Sequence, residues 1–206
     1  MSFKEQRIQE INSLAETKFL SLYDIKYKNK IGKIKSWTVA SRKNLEALKQ
    51  QHFNGKKEKT DAVVIFAVHK ESKKLVLIKQ FRVPVNNFMY ELPAGLIDGE
   101  EKIEEALRRE LKEETGLTLL EIDSSKKLLP VYASGGMTDE SMAIMFCVCE
   151  GVPSIDYLEE DEDLEIKLVS QEEAAELLKQ DIKIDAKAYL ALHLFAMVGE
   201  KSVNLY

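Results

Sequence analysis

The stretch that decides the fold is residues 95–117, GLIDGEEKIEEALRRELKEETGL, in which a loop bounded by glycines leads into a charged, helix-forming segment. We predict a helix from residue 102 to residue 115. At about 100° per residue, Glu110, Glu113 and Glu114 lie on the side of this helix that also carries its apolar residues. Those apolar residues are Ile103, Ala106 and Leu107. The three glutamates are therefore expected to face the protein interior.

Carboxylates that face inward need a positive partner. A run of glutamates on a helix is usually a solvated face. That interpretation fits the outer residues Glu104, Glu105, Arg108 and Lys112. It fits Glu110 and Glu114 poorly, because like charges four residues apart repel and burying them unpaired is costly. Mg²⁺ takes oxygen ligands and would remove that cost, so the pattern favours a divalent metal site.

The spacing within this stretch matches a known signature. Gly95 is followed after five residues by Glu101, and after seven more by the run RELKEETGL, residues 109–117. With every fixed position occupied, the stretch resembles the box of the Nudix hydrolase family. The resemblance implies an α/β sandwich built around a mixed sheet. It also implies attack by a metal-activated water on a diphosphate linked to a second group.

The resemblance also assigns roles within the box. It implies that Glu110, Glu113 and Glu114 hold divalent ions and that the main-chain carbonyl of Ala94 is a further ligand. Glu101 and Arg109 are then interpreted as supports of the loop and the helix. We expect Gly95 and Gly99 to permit a tight loop before the helix, and Gly116 to end the helix in the left-handed conformation.

The residues before the box indicate which class of substrate the protein hydrolyses. Residues 80–95, QFRVPVNNFMYELPAG, resemble the ADP-ribose pyrophosphatase branch of the family, in which Q-[YF]-R-x-P precedes E-x-P-A-G. The resemblance implies that Arg82 binds the substrate phosphates through charge-assisted hydrogen bonds. Glu91 is expected to shape the site near the metals or to hold a group of the substrate. An arginine at the end of a surface strand is the alternative interpretation of Arg82.

Two segments after the box extend the resemblance. Residues 133–141, ASGGMTDES, resemble the segment S-P-G-x-[ST]-[DNS]-E of the branch, with Gly135 in place of proline and Glu140 as the acid that contacts the ligand.

The second segment, residues 159–178, resembles an acidic loop that supplies a glutamate as the base for the attacking water. Glu160 and Glu162 both fit the offset, Glu162 is favoured, and Glu159 is a third alternative. Glu113 is counted with them as a catalytic carboxylate. A solvated acidic loop is the competing interpretation.

The chain is divided into two predicted domains. Residues 1–58 are interpreted as an N-terminal extension and residues 59–206 as the Nudix hydrolase domain. Within the extension we predict an amphipathic helix over residues 1–17, a β-hairpin within residues 18–40 and a helix over residues 44–55.

In the ADP-ribose pyrophosphatase branch, such an extension forms a homodimer and places aromatic residues over the adenine. Trp37, the only tryptophan, lies five residues before Arg42, where the branch carries Trp or Tyr followed by Arg. The resemblance implies that Trp37 stacks on adenine and that Arg42 lies near the phosphates or the ribose. An ordinary core tryptophan is the alternative for Trp37.

Composition excludes several classes of protein. Lys and Arg number 30 against 35 Asp and Glu, for a net charge of −5, so the chain lacks the positive potential of a nucleic-acid-binding protein. The longest apolar run, residues 62–68, is far shorter than the roughly 20 residues of a membrane span. Cys147 and Cys149 are interpreted as small buried apolar residues. We expect a cytoplasmic protein without nucleic-acid or membrane partners.

Together the motifs predict hydrolysis of ADP-ribose to AMP and ribose 5-phosphate, dependent on Mg²⁺ with Mn²⁺ as the alternative ion. Two alternatives remain. The first is the same chemistry on another nucleoside diphosphate sugar such as GDP-mannose, because Gly135 departs from the pattern. The second is a catalytically inactive Nudix protein that senses nucleotides, which the intact acidic positions disfavour.

Overall fold

The computed structural model describes residues 6–122, 129–158, 160 and 162–204. The first unit comprises Met1–Asp61 and Pro130–Met142, and the second comprises Ala62–Leu129 and Ala143–Tyr206. Within the described ranges, no helix is long and apolar enough to cross a membrane.

Groups of consecutive strands are separated by single helices, and two helices follow the last strand. The strands are β1 (Ile8–Glu16), β2 (Ser21–Lys28), β3 (Ile34–Ser41), β4 (Ala62–His69), β5 (Leu75–Arg82), β6 (Asn87–Glu91), β7 (Ala94–Leu96), β8 (Thr118–Ile122), β9 (Val131–Tyr132), β10 (Ser141–Glu150) and β11 (Leu164–Val169). The helices are α1 (Leu45–Phe53), α2 (Ile103–Thr115), α3 (Gln171–Leu177) and α4 (Ala186–Val198). Short 3₁₀ helices cover Val83–Val85 and Gly199–Asn204.

The first unit contains an antiparallel sheet in the order β1-β2-β3. The side chain of Asn44 caps α1 by accepting the N–H of Ala47, as expected for an N-cap asparagine. Tyr23 and Leu48 belong to a small core that the sheet and α1 enclose. The hairpin predicted within residues 18–40 and the helix predicted over residues 44–55 are both confirmed.

The helix predicted over residues 1–17 is wrong, because Ile8–Glu16 forms β1. Ile11 pairs with Ile25 and is buried, which anchors the strand on β2. Irregularities in the register follow Ile8 and Ser13. Such bulges break the alternation of two that identifies a strand, so the apolar residues recur at a spacing that resembles a helix.

The second unit is an α/β fold, and the predicted fold class is confirmed. Its sheet runs in the order β11-β5-β4-β10-β8, with β6 paired to β5 and β7 paired to β4. Helix α2 packs on β4, β7 and β8. Its side chains Ala106, Leu107 and Leu111 join a core cluster with inward-facing residues of the sheet, including Val63 and Cys147. This packing sets the rotation of α2 about its axis, and therefore the direction in which its acidic residues point.

Candidate active site

The acidic face of α2 turns inward as its periodicity predicts. Glu110 is 9% exposed and Glu114 is 3% exposed, on a helix whose Ala106, Leu107 and Leu111 are fully buried. Glu113 lies at the rim, with its side chain 40% exposed. The face of α2 therefore carries two buried carboxylates one helical turn apart, Glu110 and Glu114. The third, Glu113, lies at the edge of the same face.

Gly95 makes room for one of these carboxylates. It lies within β7, and a Cβ at this position would overlap the carboxyl group of Glu110. Gly95 does not have positive φ, so the expectation that it serves the conformation of a tight loop is wrong. Gly99 and Gly116 do have positive φ, of 47° and 69°, and Gly116 ends α2 as predicted.

The main chain of β7 also contacts the acidic face. The N–H of Ala94 donates to Oε2 of Glu114 at 2.9 Å. Pro93, one residue earlier, accepts a hydrogen bond from the N–H of Ile65 at 2.8 Å, which ties this segment to β4. The strand that carries Ala94 is thus held beside Glu114. The contact uses the N–H of Ala94, and the role of its carbonyl as a metal ligand stays a prediction.

Arg109 connects the loop before α2 with the acidic face. Its Nε and Nη2 donate to the carboxylate of Glu101 at 3.1 and 2.9 Å, and Nη2 also donates to the carbonyl of Leu96 at 2.9 Å. Its Nη1 donates to Glu110 at 2.7 Å and to Glu113 at 3.0 Å. Glu101 and Arg109 therefore support the loop and the helix, as the sequence predicts.

Burial, and after it the charges of neighbouring carboxylates, raises the pKa of two glutamates of this site. Burial raises the pKa of Glu110, the bond from Arg109 opposes the rise, and Glu113 and Glu162 add to it. Burial also raises the pKa of Glu114 well above its usual value. The Ala94 N–H opposes part of that second rise, whereas the charges of Glu110 and Glu162 increase it.

The acidic loop therefore brings at least one of its glutamates close to the site. Glu162 acts electrostatically on both Glu110 and Glu114. Glu160 is exposed, and Glu159 lies outside the described residues. Glu162, the favoured candidate base, is therefore coupled through its charge to both buried carboxylates.

The residues fit a divalent cation by their chemistry. They offer hard carboxylate oxygens, and burial raises the pKa of both Glu110 and Glu114, so a cation bound beside these acids would stabilise their charged forms. Across the residues that the structure describes, no three His, Cys, Asp or Glu side chains surround a common point as metal ligands. Glu110 and Glu113 are instead turned toward Arg109, and Glu114 toward Ala94.

Arg82 and Glu91 form a forked ion pair. Arg82 donates from Nε to Oε1 of Glu91 at 2.6 Å and from Nη2 to Oε2 at 2.9 Å. The Glu91 side chain is mostly buried, whereas that of Arg82 is 43% exposed. The bond to Glu91 raises the pKa of Arg82, and the charges of Glu114 and Asp185 contribute. The predicted phosphate-binding arginine therefore lies close to the acidic face.

Asp185 is a residue near this site that sequence reasoning missed. Its N–H donates to the carbonyl of Tyr90 at 2.9 Å, next to Glu91 in the chain. Its carboxylate caps α4 by accepting the N–H groups of Lys187 and Ala188. Aspartate before an apolar run is a recognisable cap signal, but it indicates only where a helix begins. The sequence carries no signal for the long-range pairing that brings Asp185 beside β6.

The first unit holds the remaining predicted site residues. Trp37 is 51% exposed and donates its indole N–H to the carbonyl of Gly136 at 3.1 Å, so the interpretation as a core tryptophan is wrong. Trp37 borders a cavity of about 330 Å³ together with His52. Arg42 pairs with Glu140, Nε to Oε1, at 2.5 Å.

A partly buried charge network holds the segment that carries Glu140. Lys43 binds Asp61 at 3.2 Å and Asp139 at 3.0 Å. Asp61 in turn accepts hydrogen bonds from the N–H and the hydroxyl of Ser141. The residues on both sides of Glu140 are therefore fixed within the first unit, although the sequence pattern singled out neither Lys43 nor Asp61.

Comparison with known proteins agrees with this geometry. The model of the NUDIX domain matches residues 58–192. The chain is 33% identical over 148 residues to the ADP-ribose pyrophosphatase of Bacillus subtilis, covering 68% of this chain and 77% of that protein. It is 30% identical over 192 residues to the ADP-ribose pyrophosphatase of Saccharomyces cerevisiae, covering 87% of this chain and 78% of that protein.

The fold is also similar to that of a solved structure. A crystal structure of an ADP compounds hydrolase matches with a TM-score of 0.64 at 18% identity. The match covers 96% of this chain and 95% of that one, which supports the fold.

An intact box on a helix of this orientation, together with a domain match over most of its length, means that the chain belongs to the Nudix family. It is a Nudix hydrolase. Its relatives place it in the ADP-ribose pyrophosphatase branch of that family. Nudix hydrolases generally use divalent metal ions and act on small nucleotide substrates.

Proposed function

We propose that the protein hydrolyses ADP-ribose to AMP and ribose 5-phosphate and that it uses Mg²⁺, with Mn²⁺ as the alternative ion. The observation that carries this proposal is the burial of Glu110 and Glu114 with raised pKa values beside β7. Such acids have a chemical reason to bind a divalent cation. The two ADP-ribose pyrophosphatases among the relatives support the choice of substrate.

Different residues would hold the metal and accept the proton of the attacking water. Glu110, Glu113 and Glu114, with the carbonyl of Ala94, would hold the metal. When bound, Mg²⁺ lowers the pKa of a water molecule and neutralises charge on the phosphoryl oxygens. Glu162, with Glu160 as the alternative, accepts the proton of the attacking water. A new bond forms between the water oxygen and phosphorus, and the phosphoanhydride bond breaks. Either phosphorus yields the same two products.

Arg82 would bind the diphosphate. A guanidinium is well matched to phosphate oxygens, and in its pairing with Glu91 it donates hydrogen bonds to two oxygens side by side. The diphosphate would then replace the carboxylate of Glu91 on at least one nitrogen. Glu91 keeps Arg82 oriented until the substrate arrives.

The first unit would bind the nucleoside. An exposed tryptophan beside a cavity can stack on adenine, and Trp37 is such a residue. Arg42 and Glu140 would contact the ribose or the phosphates. Their ion pair places a hydrogen-bond donor and an acceptor side by side. We further propose that residues 1–58 serve as the dimerisation and base-stacking extension, and that residues 59–206 serve as the hydrolase domain.

We also infer a cytoplasmic homodimer. The sheet of the first unit exposes apolar side chains that a second copy would cover, namely Leu14, Leu22 and Ile34. Cys147 and Cys149 are free and buried thiols, which agrees with a reducing compartment. Sedimentation of the full chain tests the dimer: a monomer at micromolar concentration would contradict it.

The direct test is to incubate the purified protein with ADP-ribose and Mg²⁺ and to follow AMP by chromatography. We expect AMP and ribose 5-phosphate in equal amounts, and no product after chelation with EDTA. Absence of AMP with active metal present would defeat the proposal. A panel that includes GDP-mannose, ranked by kcat/KM, separates ADP-ribose from other nucleoside diphosphate sugars. Tight binding of nucleotides without turnover would identify a sensor instead.

A further inference from the structure

The guanidinium of Arg109 has two sides with different partners. The side formed by Nε and Nη2 is anchored to Glu101 and to the carbonyl of Leu96, at distances of 2.9 to 3.1 Å. The remaining nitrogen, Nη1, is shared by Glu110 at 2.7 Å and Glu113 at 3.0 Å. The anchored side holds the guanidinium in place, so Nη1 is presented to the two carboxylates by a rigid support.

Glu110 and Glu113 obtain from Arg109 the compensation that a cation would otherwise supply. The Glu110 side chain is only 12% exposed and Arg109 is 30% exposed, so the contact is partly shielded from water. An unpaired carboxylate at that depth would destabilise the fold. The same oxygens are those that the proposed metal needs, because Glu110 and Glu113 are two of its three carboxylate ligands.

From this geometry we infer that Arg109 is an internal counter-ion, which compensates Glu110 and Glu113 in the metal-free protein and competes with the divalent cation for their oxygens. The inference rests on the proposed function in so far as that function requires the cation. Through this competition, Arg109 lowers the affinity of the site for the metal. Arg109 thereby acts as a positioning residue, through the carboxylates that it holds.

The matched experiment compares Arg109→Gln with Arg108→Gln. The two arginines are neighbours on α2, but Arg108 is paired with the exposed Glu104 at 3.0 Å on the solvent side. Binding of Mn²⁺ to the full chain is measured by titration calorimetry. We expect R109Q to bind Mn²⁺ about tenfold more tightly than the wild type, because a positive charge and a competitor are removed together. R108Q is expected to stay within about twofold of the wild type.

Thermal unfolding gives a second readout, independent of activity. In EDTA, R109Q is expected to melt several degrees below R108Q, because Glu110 and Glu113 are left without compensation. Adding Mn²⁺ should raise the melting temperature of R109Q by more than it raises that of the wild type, since tighter binding stabilises the folded state more.

The outcomes separate this inference from the proposed function. Unchanged or weaker Mn²⁺ binding in R109Q would overturn the counter-ion role and leave the proposed reaction standing. If the wild type binds no Mn²⁺, the proposed function fails, and the difference in metal-free melting between R109Q and R108Q alone decides the counter-ion role. Should R109Q not fold, Arg109→Lys takes its place. It retains the charge, so a change in Mn²⁺ affinity beyond about twofold would count against the inference.

Discussion

The carboxyl group of Glu110 lies against Gly95 in the space that a side chain at position 95 would occupy. Gly95 belongs to β7 and Glu110 to α2, so this close approach joins the strand to the acidic face of the helix. The adjacent contact, from the Ala94 N–H to Glu114, joins the same two elements at 2.9 Å. The glycine of the box is therefore required by a neighbouring side chain.

Gly95→Ala tests this relationship. The added methyl group must displace the Glu110 carboxylate, and a shift of about 1 Å at a catalytic group costs on the order of a hundredfold in rate. We expect kcat/KM for ADP-ribose to fall by about that factor and the melting temperature to fall by several degrees. Gly135→Ala is the control for stability, because a Cβ there meets no heavy atom within 4 Å. Equal melting temperatures for G95A and G135A would contradict the steric argument.

Glu114→Gln tests the need for charge at the buried end of the acidic face. Glutamine has nearly the same shape and can still accept the Ala94 N–H, so the fold should remain intact. Turnover should fall by several orders of magnitude, because the metal loses a charged ligand. Steady-state kinetics and circular dichroism give the two measurements. Glu104→Gln, on the exposed side of α2, should retain activity, and E114Q activity within tenfold of the wild type would contradict the role.

How far the sequence predicts this protein depends on the range of the interactions involved. Helix α2 and the inward direction of Glu110 follow from the local period of the helix, and the structure confirms both. The strand β1 was mistaken for a helix because its pairing with β2 is irregular. A local pattern cannot show such pairing, since the partner strand supplies the hydrogen bonds.

The same limit applies within the candidate site. The spacing of the box predicts that Gly95 is required but gives the wrong reason, because the carboxylate it accommodates comes from a different element. The pairing of residue 184 with Tyr90 brings Asp185 into the neighbourhood of Arg82. Lys43 joins Asp61 to Asp139 across a long sequence separation. Each of these contacts is set by tertiary packing.

The raised pKa values of Glu110 and Glu114 predict a pH dependence of stability without metal. A carboxyl whose pKa is higher in the folded state than in the unfolded state binds more protons when folded. Its stabilising contribution is full below the ordinary value of 4.5 and is lost as the pH rises through the raised value. Thermal unfolding in EDTA from pH 4.5 upward should therefore show wild type losing stability relative to E114Q. Parallel pH profiles for the two proteins would contradict the shift of Glu114.

Trp37 provides the last test, because it is the only tryptophan and reports on its own surroundings. Stacking of a base on an aromatic ring contributes about 1–3 kcal/mol, so Trp37→Ala should raise KM for ADP-ribose about tenfold with a small effect on kcat. Trp37→Phe, which retains an aromatic face, should restore most of the affinity. AMP should quench the fluorescence of the wild type in a saturable manner. An unchanged KM in W37A would contradict stacking of adenine on Trp37. It would not affect the proposed metal-binding role of the glutamates on α2.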